Sequence, residues 1–476
     1  MRHRSSGGDR VRAVMAVTPT PEDVRRLLLR GALQEARTAA QALARDAEAR
    51  EDYLAWSQAL RDEGVARFER FEFAAATMCF ERSLAIAGSL SSPRYAAELT
   101  SWLAATRAAD DAPGPAEKLA ERALLGLTVD PPEPEESPPR VEARREARTR
   151  ENLAFALWVL GRHDEARALA HDALGKRQGL QVDDDDALET ASAAILMGLV
   201  EQAAHRLGPA SEAFSGALET RRRILGPRHA YVGYCLHHLA QIELDRGHLD
   251  ACLELANEAV GIVAQAFGQH HANVASILAT VGAARLESGD LAAGRQALER
   301  ALDVSQRNFG RESPQHGVIQ LLLGTSLRAL GEPAEAVDLL EAAVRTLTPV
   351  HAARAEVLNN CLVSLVDAYV EAEMPNRAVA FLGETALRFD AMPEVDLALH
   401  ARASLGNAVA QIATGHAGAA LEPLRQMAER AELALGAGAP LCVELRAAEA
   451  AALEALGQVE EAQAIMRRIE NLGELH

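Results

Sequence analysis

The feature that most constrains the fold of this chain is an internal repeat of 42 residues. Six residues between apolar segments stand at a constant interval of 42: Gly247, Gly289, Gly331, Glu373, Gly415 and Gly457. His205 lies one interval earlier, and four further turn positions precede it at intervals of 40 to 50 residues: Gly161, Asp111, Phe71 and Gly31. Self-similarity at such a period indicates one supersecondary unit that is repeated along the chain.

Small side chains recur in step with these turns. Five residues after each of the eleven turn positions stands an alanine, a cysteine or a glycine. Seven residues before the turn, a second small series recurs, with Val24 and Val366 as the larger exceptions. A lone hairpin cannot bury its apolar stripe, so stability must come from interfaces between stacked neighbours. The pattern therefore predicts antiparallel helix hairpins whose backbones approach closely at the small residues.

This arrangement resembles the tetratricopeptide repeat, which places a Leu-Gly pair in its first helix and spaced small residues in its second. The matching stretches include LGTSLRALGEPAEAVDLLEAAV from Leu323 and LAFALWVLGRHDEARALAHDAL from Leu153. The resemblance covers residues 21–475. It implies an all-α fold, a right-handed superhelical α-solenoid of antiparallel helix hairpins.

A second recurring element follows several of the second helices. The stretches LGPRHAYV, FGQHHANV, FGRESPQH and LGAGAPLC have their glycines at Gly226, Gly268, Gly310 and Gly436. With the 42-residue period, these corners resemble the kinesin light chain type of repeat. His229 and His271 stand at equivalent corners, and a zinc site would need at least a third converging ligand. We therefore expect the two histidines to cap the helices that follow, and we expect no metal site.

The repeats fall into two blocks. Residues 21–129 are expected to form divergent helical repeats, because Phe71 and Asp111 replace the turn glycine there. Residues 141–476 are expected to form a regular array with the 42-residue period. Within that array we place one turn at His205 and expect it to be longer or distorted, because the stretch GPASEA resembles a turn motif three residues later.

Three segments depart from the repeat pattern. Residues 1–20 are expected to be a flexible tail, within which Met15 is an alternative translation start to Met1. Residues 130–140, DPPEPEESPPR, contain five prolines and are expected to form an exposed acidic loop. Residues 179–187, GLQVDDDDA, are expected to form a shorter solvated acidic loop.

Composition and missing motifs exclude several classes of function. The net charge of −19 argues against nucleic acid as a partner, and no stretch reaches the ~20 apolar residues of a membrane span. Five cysteines without a CxxC pair are typical of a reducing compartment, so we expect a cytoplasmic protein. Only two lysines among the basic residues suggest a bacterial source. Phosphate-loop, dinucleotide, zincin and hydrolase motifs are missing, so we expect no enzyme, no catalytic residues and no cofactor.

The repeat register nominates side chains for the concave face of the solenoid. The reference point is the small residue that stands seven before the turn in each first helix. This groove should be lined by the residue three before that point and by the residues one, four and five after it. The residue six before it should lie at the edge of the groove. The nominated side chains are mostly polar or acidic: Tyr234, His237, Gln241, Asp245, Glu287, Arg328, Asn360, Asp367 and Glu371. His237 is expected to be exposed, because kinesin light chain repeats often have two asparagines facing the groove at His237 and His238. Arg402 is the other cation expected there.

These expectations imply a non-enzymatic scaffold or adaptor that binds a partner protein segment in the groove. Complementary charge favours a partner with basic or hydrogen-bonding groups. Two alternatives remain open. One is a sensor, resembling bacterial peptide-sensing repeat regulators, in which a peptide tightens the superhelix. The other is a structural subunit of a larger bacterial complex, which would use the convex face or the acidic loop.

Overall fold

The computed structural model describes residues 19–90, 92–110, 112–128, 139–350, 355–392 and 395–473, without the side chains of 471–473. In these ranges the chain forms 22 α-helices and one short 3-10 helix, with no strand. Consecutive helices pair as antiparallel hairpins around the turn positions, so the expected all-α class and hairpin organisation are confirmed. The chain divides into two compact units, an N-terminal unit Met1–Gln269 and a C-terminal unit His270–His476.

The N-terminal unit contains six hairpins. Its helices are α1 (Pro21–Leu29), α2 (Leu33–Ala49), α3 (Tyr53–Phe68), α4 (Phe73–Ala87), α5 (Pro93–Ala109), α6 (Pro113–Leu127), α7 (Pro139–Val159), α8 (His163–Leu180), α9 (Asp184–Ala203), α10 (Leu207–Leu225), α11 (Ala230–Asp245) and α12 (Leu249–Phe267).

The C-terminal unit contains five hairpins. Its helices are α13 (Ala272–Glu287), α14 (Leu291–Phe309), α15 (Pro314–Ala329), α16 (Pro333–Leu347), α17 (Ala355–Glu371), α18 (Pro375–Asp390), α19 (Leu397–Ala413), α20 (Ala417–Leu435), α21 (Pro440–Ala455) and α22 (Val459–Gly473).

The hairpin turns lie at the residues that the repeat nominates. Seven turn glycines have φ between 65° and 83°, which is the left-handed region that a glycine adopts without steric cost. Phe71, His205 and Glu373 take the same conformation with φ of 61°, 55° and 55°, and Asp111 lies outside the described residues. The expected distortion at His205 is wrong, because α9 and α10 are joined by three residues, as α11 and α12 are. The histidine adopts the glycine conformation instead of lengthening the turn.

The small residues of the repeat lie where helices approach most closely. All eleven residues placed five after a turn are buried. In four hairpins, a glycine of the first helix faces a large apolar side chain sixteen residues later, and an added Cβ would lie 2.5 to 2.7 Å from it. These pairs are Gly64 and Phe80, Gly198 and Phe214, Gly282 and Leu298, and Gly324 and Leu340.

Val366, the larger residue in the small series of the C-terminal unit, packs against a position that has no side chain. A Cβ at Gly406 of α19 would lie 2.6 Å from Cγ2 of Val366 on α17. The missing side chain of Gly406 therefore makes room for the branched side chain that breaks the small series. Close packing of this kind is sensitive to single methyl groups.

The histidine corners are helix caps, as predicted. Nδ1 of His229 accepts a hydrogen bond from the Tyr231 N–H at 3.1 Å, and Nδ1 of His271 accepts one from the Asn273 N–H at 3.3 Å. Ser313 takes this role at the third corner through its hydroxyl. Each side chain satisfies a helix N-terminal N–H that has no partner within the helix.

Two segment boundaries differ from expectation. Helix α7 begins at Pro139, so the last two residues of the expected loop 130–140 are helical; proline suits the first turn because the N–H it lacks would have no helical partner. Thr20 caps α1 and accepts a hydrogen bond from the Asp23 N–H, so it belongs to the first hairpin. Residues 1–18 and 129–138 lie outside the described residues. Among the described helices, none is long and apolar enough to cross a membrane.

Candidate partner-binding surfaces

Three of the nominated side chains form one cluster in the C-terminal unit. Arg328 on α15 donates from Nε and Nη2 to the Glu371 carboxylate at 2.9 and 2.7 Å, and its Nη2 lies 3.0 Å from Oδ2 of Asp367. Both carboxylates belong to α17, the first helix of the next hairpin. The hydrogen bonds from Arg328 lower the pKa of Glu371, and those same bonds raise the pKa of Arg328. We call Arg328, Asp367 and Glu371 the acidic-surface cluster.

The acidic-surface cluster remains accessible to a partner. The Asp367 and Glu371 side chains are 49% and 43% exposed, whereas Arg328 is 18% exposed. One guanidinium is held between two carboxylates, so the cluster carries a net negative charge at neutral pH. Val370 lies on the same helix and is 65% exposed. Helix α17 thus exposes an apolar side chain at the position directly before Glu371.

The other candidate residues of the C-terminal unit are not members of this cluster. Glu287 is exposed at the end of α13, and Asn360 is exposed on α17. Arg402 on α19 pairs with Glu444 on α21, one repeat later. The two expected cations are thus both neutralised by carboxylates of the following hairpin. A search for an acid 42 or 43 residues after each arginine would have found these partners in the sequence.

In the N-terminal unit, the nominated residues on α11 differ in exposure. Asp245 is exposed and accepts a hydrogen bond from Nε2 of Gln202 at 2.8 Å, while Gln241 is half-buried and contacts Nδ1 of His238. The expectation that His237 is exposed is wrong, because its exposed fraction is 9% and its ring stacks on that of His238 at 5.7 Å. His238 in turn stacks on Phe214, and this burial lowers the pKa of His238 to about 4.

The start of α11 is covered by the first hairpin. Nε2 of His229 lies 3.1 Å from the carbonyl oxygen of Arg30, and a Cβ at Gly31 would lie 3.2 Å from Cζ of Tyr231. The Tyr231 ring is 5.8 Å from that of Tyr234, another nominated residue. The edge of the expected groove at Tyr234 therefore lies beside an internal contact.

The same contact includes arginines that sequence reasoning missed. Arg25 of α1 donates from Nε to Oε1 of Glu189 at 2.8 Å and from Nη2 to Oδ1 of Asp186 at 3.1 Å. Arg26 and Arg30 both pair with the Asp185 carboxylate, at 3.2 and 3.3 Å. The first hairpin is thereby joined to the fifth by ion pairs between α1 and α9.

The expectation of a solvated loop at residues 179–187 is wrong for its acidic part. Asp183 caps α9 and accepts from the Asp186 N–H at 2.8 Å, so the aspartates after it form the first helical turn. The Asp185 and Asp186 side chains are only 10% and 3% exposed. Burial raises the pKa of Asp186, but hydrogen bonds from Arg144 and the Val182 N–H outweigh it, and the pKa lies at about 2.

Comparison with known sequences identifies the repeat. One family model, described as tetratricopeptide repeat, matches residues 189–265 and 273–348. A second model with the same description matches residues 147–180. No relative was found among the characterised proteins.

Solved structures show the same kind of fold. A Rap protein complexed with competence and sporulation factor has a TM-score of 0.51 and 12% identity, and the match covers 88% of this chain and 98% of that one. A signal transduction ATPase with numerous domains and a tetratricopeptide repeat sensor, PH0952 from Pyrococcus horikoshii, has a TM-score of 0.50 and 13% identity, with 78% of this chain and 55% of that one covered.

A third match is to repeats that are named for the kinesin light chain. The putative kinesin light chain repeats of Podosopora anserina are 20% identical and cover 50% of this chain and 94% of that one, with a TM-score of 0.32. At this score the kinesin light chain type stays a prediction. From the family-model matches and the stacked helix hairpins, we conclude that residues 147–180, 189–265 and 273–348 are tetratricopeptide repeats.

Proposed function

We propose that this tetratricopeptide repeat protein is a non-enzymatic scaffold or adaptor that binds a segment of a partner protein on the first helices of its C-terminal unit. The observation that carries the proposal is the acidic-surface cluster, in which Arg328 aligns two half-exposed carboxylates beside the exposed Val370. The Rap structure supports the proposal because it holds another molecule, competence and sporulation factor, on the same kind of fold.

The chemistry of the surface favours one class of partner. Asp367 and Glu371 offer acceptors that Arg328 does not saturate, so arginine, lysine or backbone N–H groups of a partner can bind there. Asn360 adds an exposed amide, which both donates and accepts. We infer a protein segment that carries basic or hydrogen-bonding groups and at least one apolar side chain for Val370.

Affinity purification of the full chain with a neutralised surface tests this proposal. The variant D367N/E371Q removes two negative charges from the surface and retains the shape of both side chains. Its matched control is D303N/E384Q, because these acids are 52% and 63% exposed on second helices and each pairs with an arginine four residues away. We expect a specific partner to be lost by D367N/E371Q and kept by the control. Equal recovery by both variants would show that this surface does not bind the partner.

A ligand-responsive sensor is the second candidate, and the ionic contact between α1 and α9 favours it. A sensor needs two states whose balance a ligand shifts. A contact made of ion pairs can open without exposing a large apolar core. Small-angle scattering of the full chain with and without a candidate peptide tests this function, because a sensor must change its dimensions and a static scaffold need not.

The structural-subunit alternative depends partly on residues 130–140, most of which lie outside the described residues. Deleting residues 130–138 and measuring co-purification separates it from surface binding: a structural subunit that docks through this segment loses its complex, whereas the scaffold keeps its partner.

We further propose a bacterial cytoplasmic setting. Arginine far exceeds lysine in the sequence, and all five cysteines are free thiols, four of them buried. Cell fractionation of the native protein tests the location.

A further inference from the structure

Helix α1 has two faces with different roles. Val24 is fully buried, and with Leu27 and Leu28 it packs against the apolar side chains of α2. Arg25 and Arg26 of α1, and Arg30 at its C-terminal cap, extend to the carboxylates of α9, which are 155 to 164 residues away in the chain. One short helix thus completes its own hairpin and also contacts a distant one.

The acidic side of this contact is more deeply buried than the basic side. The carboxylates of Asp185, Asp186 and Glu189 are 10%, 3% and 8% exposed, whereas Arg26 and Arg30 are 51% and 46% exposed. Carboxylates that are withdrawn from water need cationic partners, because a buried charge without one is costly. We call these three residues the α9 acidic face.

The α9 acidic face is preformed by neighbours other than α1. Arg140 and Arg144 of α7 pair with Asp186, and Arg177 of α8 pairs with Glu189. Among the described residues, the ion pairs of Asp185 are those with Arg26 and Arg30. If α1 leaves, two carboxylates keep an arginine and one loses both of its partners. The uncovered α9 acidic face therefore keeps its shape, and Asp185 is left able to bind new guanidinium groups.

The geometry also selects arginine over lysine. Arg25 reaches two different carboxylates through separate nitrogens, Nε to Glu189 and Nη2 to Asp186. A guanidinium can make such divergent contacts because its donors form a planar fork, whereas an ammonium group is a single point charge.

We propose that α1 is an intramolecular ligand of the α9 acidic face, and that an arginine-bearing helical segment of a partner protein binds this face when α1 is displaced. The partner's arginines follow the spacing of Arg25, Arg26 and Arg30 on one side of a helix. This site is separate from the acidic-surface cluster, so the two can be tested independently.

The test uses the full chain and a labelled peptide with the sequence of residues 21–30, PEDVRRLLLR, as the probe. The variant R25E/R26E repels the α9 acidic face and opens it. The control R45E/R50E makes the same charge change on α2 and at its C-terminal cap, where both arginines donate hydrogen bonds to residues of α2. Fluorescence anisotropy measures peptide binding, and a peptide with its three arginines replaced by glutamine measures non-specific attachment.

We expect the peptide to bind R25E/R26E at least about tenfold more tightly than the unmodified chain or the control, because a tethered segment competes at an effective concentration in the millimolar range. Adding D185N/E189Q to R25E/R26E should abolish the gain. Equal binding to all chains, or no binding to R25E/R26E, would overturn the proposal.

A second variant covers the case in which the charge reversal unfolds the first hairpin. Gly31→Ala places a methyl group against the Tyr231 ring without changing any charge. Its control is Gly161→Ala, a turn glycine of similar φ with open space around it. The proposal predicts tighter peptide binding for G31A than for G161A, and equal binding would count against it.

Discussion

Nε2 of His229 lies 3.1 Å from the carbonyl oxygen of Arg30, although the two residues are 199 positions apart in the chain. Nδ1 of the same ring accepts a hydrogen bond from the Tyr231 N–H. Because Nδ1 acts as an acceptor, the proton of the neutral ring stands on Nε2 and is donated to Arg30. His229 therefore caps α11 and holds the first hairpin in place.

Substitution of His229 should cost more than substitution of its equivalent His271. Both side chains cap a helix, and loss of such a cap costs ~1 kcal/mol. His229→Ala also loses the bond to Arg30, for which we expect a further ~0.5–1.5 kcal/mol. Chemical unfolding of His229→Ala and His271→Ala measures the two costs, and hydrogen exchange of α1 should rise only for the first. If exchange of α1 is unchanged, His229 does not hold the first hairpin.

The contact at His229 should weaken as the solution is acidified. Burial lowers the pKa of His229, and the Arg221 charge adds to this effect, although the hydrogen bond to Arg30 opposes it. A group with a lowered folded-state pKa binds fewer protons when folded, so its contribution to stability is full above pH ~6.5 and declines below that value. Hydrogen exchange of α1 between pH 7.5 and pH 5 measures this decline.

Asparagine at position 229 distinguishes the titration of His229 from the titration of other groups. Asn caps helices well but does not titrate. His229→Asn should therefore flatten the pH dependence of α1 exchange between pH 7.5 and pH 5. An unchanged profile would assign the pH dependence to another group. Asp186 responds only in stronger acid, because its pKa of about 2 keeps it charged throughout this range.

The close approach of Gly198 to Phe214 should make an added methyl group destabilising. A Cβ at Gly198 would lie 2.5 Å from the Phe214 ring, so Gly198→Ala should cost ~1–3 kcal/mol. Gly216→Ala in the partner helix α10 is the matched control. Nothing lies within 4 Å of its Cβ position, so it should stabilise the helix by ~0.5–1 kcal/mol. Thermal unfolding of both variants checks the opposite signs, and equal shifts would contradict the close packing of Gly198 against Phe214.

Glycine, which most other turns have at this position, should make the turn at Glu373 more stable. Glu373 has φ of 55°, in a region that costs an L-residue ~1–2 kcal/mol, whereas the equivalent Gly331 pays no such penalty. Glu373→Gly should raise the free energy of unfolding of the C-terminal unit by up to ~1 kcal/mol, because the gain is reduced by the greater freedom of glycine in the unfolded chain. A destabilised Glu373→Gly would show that the glutamate side chain makes a compensating contact.

The sequence predicts the hairpins well because their determinants are local and periodic. A turn residue such as Gly289 and a small residue such as Ala336 each belong to a series that recurs at a constant interval along the chain. The pairing of Arg328 with Glu371 spans 43 residues, one more than the repeat interval, and could have been predicted. Contacts between neighbouring hairpins can be predicted without knowing how the curvature accumulates along the array.

The closure of the N-terminal unit, which is the contact between its first and fifth hairpins, could not be predicted in this way. The contact of Arg25 with Glu189 depends on the summed rotations of four successive hairpins, and each arginine has many acids as possible partners. The same closure brings Gly31 against Tyr231, beside the groove edge expected at Tyr234. His237 is buried and its ring stacks on that of His238, neither of which the periodicity specifies.

We propose that a partner protein binds at the acidic-surface cluster. Photo-crosslinking in the native host tests it most directly, with p-benzoylphenylalanine in place of the exposed Val370 and, as a control, in place of Leu387. Leu387 is 71% exposed on α18, the second helix of the same hairpin. We predict a discrete crosslinked product from position 370 that D367N/E371Q removes and that position 387 does not give. The same product from both positions, or a product from position 370 that survives D367N/E371Q, would contradict the claim.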